Sequence, residues 1–590
     1  MQNPQFNPLM VQSDKTLLLD VHAPRAEECR NALIPFAELE RSPEHLHTYR
    51  LTALSLWNAR SAGFTADDAI NVLHEFSRFE VPQSVCMWIE ETSMRFGRLR
   101  LVPDEDCSPL SVKEEDKAEY LNLITDKMLI YKEISATKNM QKYLEPIGCK
   151  KNENGDPCEW RFRLLLTNRG TVKQALLSLG WPVKDEVPLK EGEALDVSLR
   201  TRTLSDNEPL KIRSYQKEAA ESLVGDKGPG TGFGTIVLPC GAGKTIVGMV
   251  IMDMLKTNTL ILTTNISAVH QWIDELIDKT NLTADQIGEY TGEHKCIKPV
   301  TVATYQVLTW CPKTEGPYPH FKIFRDNPWG LIIYDEVHLL PAPVFRVTAE
   351  LQAVRRVGLT ATLVREDGCQ GHVFSLVGPK RYDVPWKELE ATGWIAEAEC
   401  IELRLDLDEE KEIEYAISTP HKKQRIASEN SLKIDVVEKL VNRYTKDKIL
   451  VIGQYLDQLH KISDRLKVPI ITGKTPNVKR DEIFGKFRNG ELRVLVVSKV
   501  ANFAIDLPDA SMAIQVSGTF GSRQEEAQRL GRILRPKERL SRFITLITRG
   551  TLEEEFGANR QKFLAEQGYT YRMVSAVEDI PDYLESDNDS

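Results

Sequence analysis

Several absences narrow the possibilities for this 590-residue chain before any motif is read. It has no run of about 18 or more apolar residues, which excludes a membrane-spanning helix. The N-terminal stretch MQNPQFNPLMVQSDK has neither the basic nor the apolar region of a signal peptide. Ten cysteines are scattered without a CxxC pair or metal-ligand spacing. That pattern argues against an iron–sulfur cluster or zinc site and for reduced thiols in a cytoplasmic setting. Nor is there an excess of positive charge: the formal net charge is −10, so contact with nucleic acid must come from a local basic groove. Residues 578–590 contain no Lys or Arg, and 576–590 is expected to be an acidic disordered tail.

The balance of 41% hydrophobic and 27% charged residues is that of a globular protein, and the length suits roughly three or four domains. Residues 15–21 read as a strand, and 24–39 and 66–79 as helical. A small α/β unit follows over 118–200, with helical stretches at 137–144 and 171–179, a strand at 159–166 and a loop at 150–157. Nothing catalytic stands out before residue 205. From there strands alternate with helices: 235–238, 259–263, 301–303, 331–334 and 356–360. A second series runs through 449–452, 470–471, 494–497, 512–515 and 543–547. Both rhythms predict doubly wound parallel sheets, and so a duplicated α/β core.

Residues 238–245 read LPCGAGKT behind the apolar run GTIVL. Gly241 and Gly243 remove side chains where backbone must bend around phosphate, and the Gly241-Ala242-Gly243 backbone would cradle it at a helix start. Lys244 would reach the β- and γ-phosphates of a nucleoside triphosphate, and the Thr245 hydroxyl would ligate Mg²⁺. Leu238 stands where the strict phosphate-loop pattern has its first Gly. In LIIYDEVH (331–338), Asp335 ends a buried strand, where ligands of open α/β sheets gather. It is expected to hold the Mg²⁺ shell, with Glu336 activating water. In QEEAQRLGRILRP (524–536), Gln528, Arg532 and Arg535 share a helical face, beside Arg529, and could present charge to a γ-phosphate. Thr264, Asn265, Gln271, Thr304 and Ser498 are candidates to grip a nucleic-acid backbone. Trp272 could stack on a base or belong to the core.

The set resembles helicase superfamily 2, and more narrowly its XPB-type DNA helicases. The resemblance is carried by LPCGAGKT, DEVHLLPA (335–342), GLTATLVREDG (358–368), VGPKRYDVPWKELEATGWIA (377–396), VIGQYLDQL (451–459), SKVANFAIDLPDA (498–510) and QEEAQRLGRILRP. Shorter likenesses lie at RQKFLAEQGYTYR (560–572) and in the N-terminal PLMVQSDKTLLLDV and ELERSPEHLHTYRLTALSLWNAR. The resemblance implies two RecA-like motor domains, 205–395 and 396–575, preceded by an N-terminal α/β region (1–117) and a damage-recognition-like domain (118–204). It implies that Thr360 and Thr362 couple hydrolysis to DNA, and that Arg365, Glu366 and Asp367 form the strand-separating RED motif. It also implies that Arg213 and Gln216, beside Tyr215, face the adenine and that Asp506 links nucleotide to DNA. A short thumb-like insertion would lie in 409–433, including HKKQR (421–425). The implied activity is ATP-dependent 3′→5′ DNA opening by a monomeric motor, in excision repair or transcription, with a nuclease or a transcription/repair factor as partner. A duplex translocase and an ATP-gated scaffold for a nuclease are the alternatives.

Overall fold

The N-terminal part begins with β1 (Leu9–Val11) and β2 (Thr16–Asp20), an antiparallel pair, followed by β3 (Glu38–Arg41) and β4 (Leu46–Arg50). Its helices are α1 (Ala26–Leu33), α2 (Ala53–Ser61), α3 (Ala66–Phe76) and α4 (Gln83–Arg95). Thr52 and Thr65 start α2 and α3 with reciprocal capping boxes, which satisfy otherwise orphaned backbone donors. The structure, a computed structural model, describes residues 6–581 except 34, 42–44, 105–119, 166–167, 188, 190, 226–230, 240, 312–318, 340–353, 362–369, 385, 499–509, 519–525, 527–528, 532 and 534–539. Thr362, Arg365, Glu366, Asp367, Asp506, Gln528, Arg532 and Arg535 therefore lie outside the described residues.

A second sheet contains β5 (Leu99–Pro103), β6 (Tyr120–Thr125), β7 (Glu145–Lys151), β8 (Pro157–Leu165) and β9 (Val183–Asp185), in the order β7-β8-β6-β5-β9. The boundary expected at 118 is too late for this sheet. Leu99 and Leu101 of β5 share a core with Leu121 and Leu123 of β6, so the unit takes in residues from 99 onward. The helix expected at 137–144 is instead α5 (Met128–Ala136), which buries Ile130 and Ile134 one turn apart; turns follow it. The loop expected at 150–157 is a hairpin whose Asn152 Oδ1 accepts the N–H groups of Asn154 and Asp156.

Helix α6 (Arg169–Ser178) packs in this unit and carries two buried cations onto Asp185 at the end of β9. Arg169 binds that carboxylate through two nitrogens, at 2.9 and 2.6 Å, and Lys173 Nζ donates at 2.9 Å. Residues 191–204 were expected to belong with this small unit. They instead form a strap fastened to the next one: Thr257 Oγ1 donates to Glu191 O at 2.7 Å, and Leu195 N donates to Lys256 O at 2.9 Å. Gly192 (φ +75°) passes so close to Gly330 that a Cβ there would meet its nitrogen at 2.2 Å.

The first large sheet comprises β10 (Phe233–Val237), β11 (Thr259–Thr263), β12 (Ile287–Tyr290), β13 (Val300–Thr304), β14 (Leu331–Asp335), β15 (Arg355–Thr360) and β16 (Lys380–Asp383). Its order is β12-β13-β11-β14-β15-β10-β16, every pair parallel. TLILT and FGTIV are buried along their whole length, as strands with both faces covered must be. The ring of Phe233, where β10 begins, lies 5.5 Å from Lys173 Nζ, 5.1 Å from the Arg356 guanidinium and 5.6 Å from that of Arg381.

The second large sheet comprises β17 (Ala398–Leu405), β18 (Ile449–Ile452), β19 (Ile470–Ile471), β20 (Val494–Val497), β21 (Met512–Gln515), β22 (Ser541–Thr548) and β23 (Tyr571–Val574). Its order, β19-β20-β18-β21-β22-β17-β23, is that of the first sheet with each number raised by seven. The described chain divides into two units, one holding 1–38, 49–238 and 243–383, the other 384–590 with 39–48 and 239–242. In the second, residues expected to form the thumb fold as two nine-residue helices, Glu409–Ile417 and Pro420–Ser428. The tail is ordered further than expected. Ile580 is buried, and Arg443 hydrogen-bonds the carbonyls of Val577 and Ile580.

Candidate nucleotide site

The phosphate loop leaves the end of β10 and enters α8 (Lys244–Leu255). Gly241 and Gly243 adopt φ of +82° and +78°, a region that side chains disfavour. Gly243 is the residue before α8 and offers no side-chain cap, and the positive end of the helix dipole there favours an anion. A Cβ on Gly243 would come within 2.5 Å of Gln216 Nε2. The cradle thus needs Gly there, and Gln216 of α7 (Ser214–Val224) lies against it. Gln216 is buried and accepts from Arg213 N at 3.0 Å, while an Arg213 guanidinium N–H donates to Tyr215 Oη at 3.0 Å. Arg213, Tyr215, Gln216, Gly243, Lys244 and Thr245 are therefore brought together at one corner of the first sheet.

Across the strand ends, β14 delivers Asp335. Its neighbour Glu336 adopts φ +50°, a conformation costly for a residue with a side chain and typical of functional turns. Glu336 Oε1 lies 3.6 Å from Lys244 Nζ, so the second acid of DEVH faces the phosphate-loop lysine. Asp335 is held at three points. Its carbonyl accepts from Tyr305 Oη at 2.9 Å, Oδ1 from Glu336 N at 3.1 Å, and Oδ2 from Trp272 Nε1 at 3.0 Å. Burial first, then the Glu336 carboxylate, pushes the Asp335 pKa above its ordinary value, and the Trp272 hydrogen bond and Lys244 oppose the rise. The donor set a cation would meet, the Thr245 hydroxyl and the Asp335 carboxylate, is all oxygen, which suits Mg²⁺. With the glycine-lined cradle beside it, the site fits a Mg²⁺–triphosphate.

His338 and Thr360 make a second link that spacing did not reveal. His338 is buried, and its Nδ1 lies 2.6 Å from Thr360 Oγ1 and 3.4 Å from Glu336 Oε2. Thr360 ends β15, whose carbonyl there accepts from Leu238 N at 3.0 Å. Leu238 is thus fixed by the sheet and buried, a role that needs no Gly.

The candidates for strand grip separate. Thr264, Asn265 and Gln271 lie at the start or on the surface of α9 (Ile266–Lys279). Asn265 is its N-cap and accepts from Ala268 N at 3.0 Å. Thr304 is buried, with its hydroxyl capping α10 (Tyr305–Thr309), and Ser498 is buried in the second unit, so neither presents a surface hydroxyl. Trp272 is 2% exposed, which removes base stacking as its role. Arg529 is also buried, donating to Gln515 Oε1 and Ser517 O, and is a core residue of the second unit.

A phosphate loop, a DEVH strand end and a repeated seven-stranded parallel sheet define a superfamily 2 helicase-type motor. The family model "ERCC3/RAD25/XPB C-terminal helicase" matches residues 389–588, and "Type III restriction enzyme, res subunit" matches 209–365. A model described as "Helicase conserved C-terminal domain" matches residues 9–142. The chain is 50% identical to the DNA 3′-5′ helicase XPB of Kineococcus radiotolerans, over 96% of each chain. It is 48% identical to the protein of the same name from Mycobacterium tuberculosis, over 96% of this chain and 98% of that one. Similarity extends to the Saccharomyces cerevisiae helicase/translocase subunit XPB/SSL2 of the general transcription and DNA repair factor IIH, at 29% identity over 96% and 72%. Among solved structures, S. cerevisiae Dbp5 bound to RNA and ADP BeF3 has a TM-score of 0.45 at 15% identity, covering 62% of this chain and 91% of that one. The chain belongs to the XPB helicase family.

Proposed function

We propose that this protein is an ATP-dependent 3′→5′ DNA helicase that couples hydrolysis to duplex opening in excision repair or transcription. The observation that carries the reading is Glu336 facing Lys244 at 3.6 Å, in a chain half identical along nearly its whole length to named 3′→5′ DNA helicases. Lys244 and the N–H groups of the loop bind the triphosphate, and Glu336 orients the attacking water and accepts its proton. Thr245 and Asp335 would hold Mg²⁺, which would supply neutralisation of the triphosphate's charge. Gln528, Arg532 and Arg535 supply charge to the transition state, and Arg213 and Gln216 position the adenine. Thr360, Thr362 and Asp506 relay nucleotide state to DNA, and Arg365, Glu366 and Asp367 separate strands. The motor works as a monomer in the cytoplasm, recruiting a nuclease or a transcription/repair partner.

The relatives named helicase/translocase support a second reading, movement along duplex without processive unwinding. One experiment separates the two: ATP turnover and strand displacement on 3′-tailed, 5′-tailed and blunt duplexes, with Glu336→Gln as the control. Displacement confined to 3′-tailed DNA, lost in Glu336→Gln, is expected. Stimulation by blunt duplex without displacement would select the translocase, and turnover indifferent to DNA would overturn the motor.

A further inference from the structure

Trp272 sits on α9 about two turns from Asn265, roughly 10 Å along the axis. Its indole is buried, and two elements of the nucleotide site press on it. On one side is Gly248 of α8, one turn beyond Lys244 and Thr245. A Cβ there would meet Trp272 Cη2 at 2.7 Å and Cζ3 at 3.4 Å, so the ring occupies the space that this glycine leaves. On another, Nε1–H donates to Asp335 Oδ2 at 3.0 Å. One side chain thus touches the helix of the phosphate loop and the acid of DEVH, and it is carried by the helix that starts at Thr264 and Asn265.

We propose that Trp272 is a positioning residue that fixes the Asp335 carboxylate for the Mg²⁺–nucleotide and ties that carboxylate to the N-terminus of α9. The coupling to DNA rests on the function proposed above; the setting of the carboxylate does not. Asp335 has two oxygens and two donors, its neighbour's backbone N–H and the indole, so its plane is fixed from both ends. An indole N–H only donates, so it always favours an acceptor carboxylate. The packing on Gly248 leaves the ring little room to swing, and a displacement of α9 by load at its N-terminus therefore moves the donor off Asp335.

The test is Trp272→Phe, which keeps an aromatic ring and deletes the N–H. The readout is the affinity for fluorescent ADP with Mg²⁺ and with EDTA. Outer-shell partners of metal ligands typically govern about 10–100-fold in metal affinity. The Mg²⁺-dependent gain in ADP affinity should therefore fall by about ten-fold while the affinity in EDTA stays within about two-fold. Val269→Ala, a buried change on the same helix, should lower the unfolding temperature and leave the Mg²⁺-dependent gain intact. If Trp272→Phe does not fold, β-(3-benzothienyl)alanine at position 272 replaces only N–H by sulfur. An unchanged Mg²⁺-dependent gain, or equal losses with Mg²⁺ and EDTA, overturns the proposal. Wild-type turnover that ignores DNA would sink the motor reading and leave this binding result standing.

Discussion

Replacing Asp185 by Asn should destabilise the first unit more than any surface change. Asp185 lies 2.6 Å from an Arg169 nitrogen and 2.9 Å from Lys173 Nζ, with all three side chains 6% exposed or less. At an effective dielectric near 20, each contact is worth roughly 6 kcal/mol of gross attraction, most of it cancelled by desolvation. The amide removes the attraction and leaves the desolvation, so the net loss expected for breaking such a pair is about 3–5 kcal/mol. That corresponds to an unfolding temperature lower by roughly 10 °C. Lys173 limits the loss. Burial, set against Asp185, already lowers its pKa to about 8 from 10.5. Without Asp185 its pKa falls further, and it escapes by giving up its proton, which Arg169 cannot do. The sign follows from linkage: Lys173 is neutral in both folded proteins above about pH 8, so its share of the difference vanishes there and grows on acidification. Asp185, held below the ordinary carboxylate range by the two cations against its own burial, contributes stability at neutral pH that is lost only below about pH 4. Chemical denaturation of wild type and Asp185→Asn at pH 6 and pH 9 should show a larger gap at pH 6. Arg169→Met in the Asp185→Asn background should recover part of it. A gap under about 1 kcal/mol at pH 6, or one that widens at pH 9, would refute the reasoning.

Two further outcomes follow from the geometry. Gly192→Ala should cost several kcal/mol in denaturant titration, because its positive φ is compounded by a 2.2 Å approach to Gly330, whereas Gly393→Ala, at φ +73° with open space around it, should cost about 1–2 kcal/mol. His338→Ala removes the partner of Thr360 Oγ1 and should leave nucleotide binding within a few-fold of wild type while lowering DNA-stimulated relative to basal turnover, read by steady-state ATPase with and without duplex.

Strands whose whole length is apolar were legible. The boundaries of β11, β18, β20 and β21 fall where the sequence placed them, because a strand buried on both faces is dominated by apolar residues, and so do those of the two-residue edge strand β19. Within the two large sheets the strands missed were β12 (IGEY), β16 (KRYD), β17 (AECIELRL) and β23 (YRMV). Three of these are sheet edges, where one side is unpaired and polar residues are tolerated. β17 interleaves Glu and Arg among its apolar residues, which pair locally, as Arg404 does with Glu402. At the nucleotide site, residue type and strand-end position announced Lys244, Thr245, Asp335 and Glu336. The parts played by Trp272 and His338 were not legible, because a donor 63 positions from its acceptor leaves no trace in spacing.

The seven-place shift between the two large sheets puts β17 where β10 stands, so the turn after β17 corresponds to the phosphate loop. There the chain reads Leu405-Asp406-Leu407-Asp408, and the helix that follows opens with Glu409, Glu410 and Glu412. Carboxylates at a helix start occupy the dipole end that a phosphate would use, and they repel it. The repeat of the sheet is therefore not a repeat of the phosphate cradle: at this turn the second sheet offers an anion repulsion where the first offers attraction.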